Sequence, residues 1–160
     1  MAMKFIKTLY ATGRPSEYFA PYAEFPLKEA LPVGTLVALE DGNLVRADKT
    51  KVPVGVVHLA DTVSIRDKQY LDGERETVTL KAGTPIPLYK HFLMSGADVK
   101  GTLTIGAPVY LDGEGASAEL TCNKPQAGFV VGSVERVTDK LVRFDLSLAG
   151  ILKLTAQKID

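Results

Sequence analysis

Gly34-Thr35-Leu36-Val37-Ala38-Leu39, Gly83-Thr84-Pro85-Ile86-Pro87-Leu88 and Gly106-Ala107-Pro108-Val109-Tyr110-Leu111 are three versions of one phrase. Each runs glycine, a small residue, a free position, a β-branched residue, another free position and leucine. Glycine permits the turn that starts a strand, and the β-branched residue and the leucine, two apart, share one face. Two copies lead straight into acidic turns, Glu40-Asp41-Gly42 and Asp112-Gly113, a strong short-range hairpin signal. Both are followed by an apolar strand with its own glycine, Val54-Gly55-Val56-Val57 and Gly128-Phe129-Val130-Val131-Gly132. The chain is therefore read as all-β, built from related hairpins. The copies begin at 34, 83 and 106, an irregular spacing that argues against a solenoid or propeller.

Composition narrows the class. A chain of 160 residues is one domain by default. Its 19 basic residues balance 19 acidic ones, so overall charge gives no reason to bind nucleic acid or an anionic membrane. The single cysteine, Cys122, has no internal disulfide partner and supplies no cysteine-based metal site. Met1 to Leu9 holds two lysines and no apolar run of signal-peptide length, and no stretch approaches the roughly 20 apolar residues of a membrane span. Synthesis in a cytosol is expected, with no cofactor.

Three regions follow. Residues 1–30 form an extended arm holding Phe5, Tyr10, Tyr18, Phe19, Tyr22 and Phe25, half of the 12 aromatics, with Pro15, Pro21 and Pro26 interspersed. Proline at that density excludes a long helix or a central strand. Arg14 sits in the turn Gly13-Arg14-Pro15-Ser16-Glu17. Burying each aromatic contributes at most about 4–6 kcal/mol, against on the order of 30–60 kcal/mol to order about 30 residues. The arm therefore needs strand pairing or a surface to dock on, either its own body or a neighbouring chain. The body spans 31–148, with strands expected at 35–39, 43–47, 53–58, 76–81, 85–89, 102–104, 107–111, 118–121, 128–135 and 140–148. Short strands broken by Gly, Pro and Asp indicate a small barrel or sandwich. Leu59 to Arg75 is a polar excursion. His91-Phe92-Leu93-Met94 reads either as a helical turn or as a further strand. The tail is 149–160.

No residue group forms a convincing reactive site. His58, Asp61 and Ser64 are the residue types of a nucleophilic triad, but a triad converges from separate elements rather than from regular local spacing. His91 has no partner motif for a metal. Lys124 stands near Cys122, where it would lower the thiol pKa, yet a half-buried cysteine without a role is the favoured reading. Arg46-Ala47-Asp48-Lys49-Thr50 resembles the Asp-Lys-Ala hairpin of lipoyl-carrier domains, in which the lysine is modified; a hairpin tip of soluble residues is the plainer reading.

The second hairpin resembles tailed-bacteriophage head decoration (capsid cement) proteins. The resemblance is carried by Ile105-Gly106-Ala107-Pro108-Val109-Tyr110-Leu111-Asp112, then by Ala127-Gly128-Phe129-Val130-Val131-Gly132-Ser133-Val134 and Val142-Arg143-Phe144-Asp145-Leu146. Such proteins commonly carry a Gly-x-x-Val-Tyr-Trp/Leu-Asp strand and turn, then a glycine-containing apolar strand and a Val-Arg-Leu-type strand. The resemblance covers 31–148 in order and implies a small β-barrel or sandwich (β-tulip-like). It further implies a non-enzymatic virion protein on the outer capsid surface, often trimeric, with the major capsid protein as partner. On that expectation Phe5, Tyr10, Arg14, Tyr18, Phe19, Tyr22 and Phe25 would make the partner contacts. A carrier or enzyme accessory domain using Lys49, and a phage tail or neck protein, are the alternatives.

Overall fold

The computed structural model describes residues 4–6, 22–58, 79–95, 97–148 and 153–154. Fifteen strands are defined there, with short 3-10 turns at Gly115–Ser117 and Leu146–Leu148. The fold is all-β, and among the described residues no sheet closes into a barrel. The largest sheet orders β1 (Lys4–Ile6), β9 (His91–Ser95), β14 (Leu141–Asp145), β13 (Gly128–Arg136), β11 (Pro108–Asp112), β12 (Glu119–Thr121) and β10 (Val99–Lys100). A short β15 (Lys153–Leu154) also pairs with β13. A three-stranded sheet orders β5 (Asn43–Arg46), β4 (Leu36–Glu40) and β6 (Pro53–Val56). Two ribbons complete the set: β2 (Ala23–Pro26) with β8 (Pro85–Leu88), and β3 (Leu31–Pro32) with β7 (Thr79–Leu80).

The three-stranded sheet is the middle layer. Leu36, Ala38, Val45, Ala47 and Val56 join a core with Phe92, Met94, Val109, Phe129, Val142 and Phe144 of the large sheet. Their sequence neighbours Val37, Leu44 and Val57 point the other way, into a second core with Leu27, Leu31, Val33, Ile86 and Leu88. A strand covered on both faces carries an apolar run rather than an alternating pattern, which is why Leu36-Val37-Ala38 is unbroken. Phe92 and Phe144 stack with ring centroids 4.9 Å apart in the first core.

The repeated phrase is a repeated structure. Turns Pro32–Thr35, Lys81–Thr84 and Thr104–Ala107 each place glycine third, at φ +96°, +87° and +83° for Gly34, Gly83 and Gly106. Each closes with an N–H to C=O bond across its ends, of 3.3, 3.2 and 2.9 Å. In each, the glycine N–H donates to the carbonyl of one residue on or just past a partner strand: Val57 at 2.8 Å, Leu27 at 2.7 Å and Val134 at 2.8 Å. The N–H of that residue answers to the carbonyl just after the glycine, at 2.9, 3.0 and 2.9 Å. Downstream the first and third copies also match. Val37 faces Gly55 and Val109 faces Gly132, with a bulge immediately after each valine. In the second copy Ile86 faces Phe25 and the ladder runs on without a bulge.

Several expectations change. The β4–β5 hairpin turns tightly, with Asp41 at φ +50° and Gly42 at +78°, the geometry of a type I′ turn. The Asp112-Gly113 connection is longer and passes through the 3-10 turn before β12. Residues 102–104 make no strand; Leu103 packs from a loop, and β10 at 99–100 pairs with β12 instead. His91–Ser95 is a strand, and it leaves the β8 ribbon for the large sheet. The strand expected over 140–148 ends at Asp145, with Leu146 buried from the following 3-10 turn. The excursion 59–75 lies wholly outside the described residues.

Candidate interaction surface

Of the seven arm residues expected to meet a partner, Tyr10, Arg14, Tyr18 and Phe19 lie outside the described residues. Phe5 is on β1, in backbone register with Met94 at the edge of the large sheet. Tyr22 and Phe25 are on the chain's own body. Tyr22 donates its N–H to the Leu88 carbonyl at 2.9 Å and its hydroxyl to the Val54 carbonyl at 2.6 Å. The Lys90 ammonium lies 4.6 Å from its ring centroid, and burial pushes its phenol pKa up, although the residue is 48% exposed. Phe25 packs against the second core. Residues 22–30 therefore join the body, which begins earlier than residue 31: Leu27 is buried there and the Lys28 N–H donates to Leu44 at 2.9 Å.

Proline placement decides what the β2–β8 ribbon offers. Pro26 and Pro85 face each other in register. Neither has an N–H, so that pair exchanges no hydrogen bonds, and alternation makes Phe25–Ile86 and Ala23–Leu88 the bonded pairs. The Leu27 N–H donating to the Thr84 carbonyl at 3.0 Å fits this phasing. Glu24, Pro26, Pro85 and Pro87 consequently turn their backbone groups outward, and of these only Glu24 has an N–H. An edge so depleted of donors resists further strand addition. The two-residue spacing of Pro85 and Pro87 carried this information in the sequence, but only the pairing partner shows which edge they close.

Of the other singled-out residues, His58, His91 and Lys49 have structural partners. His58 is buried two residues past β6, its Nε2 donating to the Pro87 carbonyl at 2.9 Å beside the Tyr89 ring. Asp61 and Ser64 lie outside the described residues. His91 meets Asp145 at 3.4 Å across the β9–β14 register. Cys122 is half-buried just past β12, and burial pushes its thiol pKa up, opposite to the lowering expected from Lys124. Lys49 stands on a latched hairpin tip. Asp48 Oδ1 accepts the Thr50 N–H at 2.8 Å and its hydroxyl at 2.6 Å, and Asp48 Oδ2 accepts the Gly115 N–H at 2.9 Å. The Lys49 N–H donates to Gly113 at 2.9 Å and its ammonium meets Glu114 at 3.3 Å. The Lys49 side chain is thus folded onto the neighbouring loop. Desolvation pushes the Asp48 carboxyl up, but the Thr50 and Gly115 hydrogen bonds, with the Lys51 charge, outweigh it and hold the pKa below the usual aspartate range.

A cleft of about 250 Å³ opens between the first and third copies, with Leu36, Ala47, Leu111 and Leu120 in its lining and Arg46, Asp98 and Glu119 as its charged residues. Glu119 is engaged by Lys100 at 2.7 Å. Among the described residues no group of three or more His, Cys, Asp or Glu is placed to hold a metal ion. No described helix is long and apolar enough to cross a membrane. No protein-family model, curated protein or solved structure matches the chain.

Proposed function

We propose that this chain is a non-enzymatic virion structural protein that binds the outer surface of an assembled phage head and stabilises it. The observation carrying this reading is how the aromatic segment is rooted. Lys4–Ile6 pairs with β9 and Ala23–Pro26 with β8, so two strands tied to the body bracket residues 7–21. That bracketed stretch contains Tyr10, Arg14, Tyr18 and Phe19, residue types enriched where interfaces concentrate their binding energy. A stretch rooted at both ends loses less entropy on docking than a free tail of equal length. The partner is the major capsid protein, the chain acts as a homo-oligomer with a trimer favoured, and its place is the virion after synthesis in the host cytoplasm. Many modest contacts on one shell act together, so each need not be strong.

Co-sedimentation with undecorated heads tests the reading. Replacing Tyr18 and Phe19 together by Ala should weaken binding at least thirtyfold, about 2 kcal/mol, while the melting temperature stays unchanged. Equal sedimentation of variant and parent would remove these residues from the interface.

A further inference from the structure

We propose that the groove along β8 is a strand-acceptor site, and that it takes Tyr22–Leu27 of a second copy of this chain in place of the chain's own segment. The repeated architecture carries the inference. In the first and third copies the glycine-led strand is closed by a strand that follows it in the chain, β6 or β13. In the second copy the same closing bonds, Gly83 N–H to Leu27 and Leu27 N–H to Thr84, come from a segment more than fifty residues upstream. The middle unit is thus incomplete by itself, and a strand from outside it supplies the missing partner. That strand places Leu27 in the core beside Ile86 and Leu88 and packs Phe25 and Ala23 against them.

Two features favour exchange over other strand contacts. Three of the four outward positions of the ribbon are proline, at 26, 85 and 87, so a neighbour's strand adding alongside it would meet a single N–H, that of Glu24. The segment joins the body through Lys28, Glu29 and Ala30, all exposed, a short connection that can swing out once the Lys28 N–H leaves Leu44 and its ammonium leaves Glu40, 3.4 Å away. Exchange re-forms the same bonds between two copies and needs no new interface, the low-cost route to a dimer or a closed ring. This inference concerns contacts between copies and does not rest on the capsid reading.

The test uses two full-length preparations, Glu24→Cys and Pro87→Cys, each also carrying Cys122→Ser. Residues 24 and 87 face each other in register as a non-bonded pair, where Cα atoms lie about 4.5 Å apart and a disulfide can form. Refolded together and oxidised, the two should give a mixed disulfide at twice the chain mass. Glu24→Cys refolded with an exposed Glu114→Cys control should give far less. Glu24→Cys/Pro87→Cys within one chain, oxidised at high dilution, should seal within the chain and then form no exchanged dimer. A mixed product no more abundant than the control, while the double variant seals within the chain, would overturn the exchange. A double variant that does not seal would overturn the acceptor groove itself.

Discussion

A Cβ added to Gly132 would overlap the carbonyl oxygen of Arg143 on β14, whereas one added to Gly106 meets nothing within 4 Å. The two glycines therefore serve different physics. Gly132→Ala should cost about 2–4 kcal/mol, because the β13–β14 backbones must part. Gly106→Ala should cost about 1–2 kcal/mol, from a positive φ alone. Chemical denaturation of both variants checks the order, and a larger loss at Gly106 would contradict it. Asp48 sets a pH dependence. Its folded pKa is depressed, so its contribution is present above the ordinary aspartate value of about 3.9 and is lost as pH falls through the lower folded value. Asp48→Asn should destabilise the fold at neutral pH and flatten the fall in stability below about pH 4. An acid limb as steep as the parent's would assign the sensitivity elsewhere.

The ribbon of β2 and β8 separates the arm's two halves by role. Deleting residues 1–21 keeps β2, while deleting 1–25 removes most of it and uncovers Ile86 and Leu88. The shorter deletion loses the β1–β9 pairing but spares the second core, and the longer one should melt clearly below it, with Leu27→Ala alone costing about 2–5 kcal/mol. Equal melting of the two deletions would contradict the ribbon's place in the core. The first and third copies were legible in sequence because each glycine-led strand, its acidic turn and its glycine-bearing partner lie within about thirty residues. The second copy was legible only as a phrase, since its partner comes from upstream and carries Phe25 where the others carry glycine. Asp48 was hidden for a related reason: a carboxylate at a hairpin tip reads as solvated until the loop at Gly113–Gly115 arrives from a distant part of the chain.

At the scale of the whole molecule, three β layers share a middle sheet buried on both faces, and the N-terminal segment is tied in at β1 and β2. The Lys49 alternative makes a separate demand, an acyl adduct visible in the intact mass of the natural protein; on the present account the mass equals that of the unmodified chain. The proposed function stands on attachment to a shell, which the heat resistance of heads measures. Undecorated heads assembled from the major capsid protein of the same genome would be heated with and without saturating full-length chain, following particle rupture and the amount of chain bound. Saturable binding and rupture at a higher temperature are expected. A folded full-length chain that leaves heads bare and their rupture temperature unchanged would contradict it.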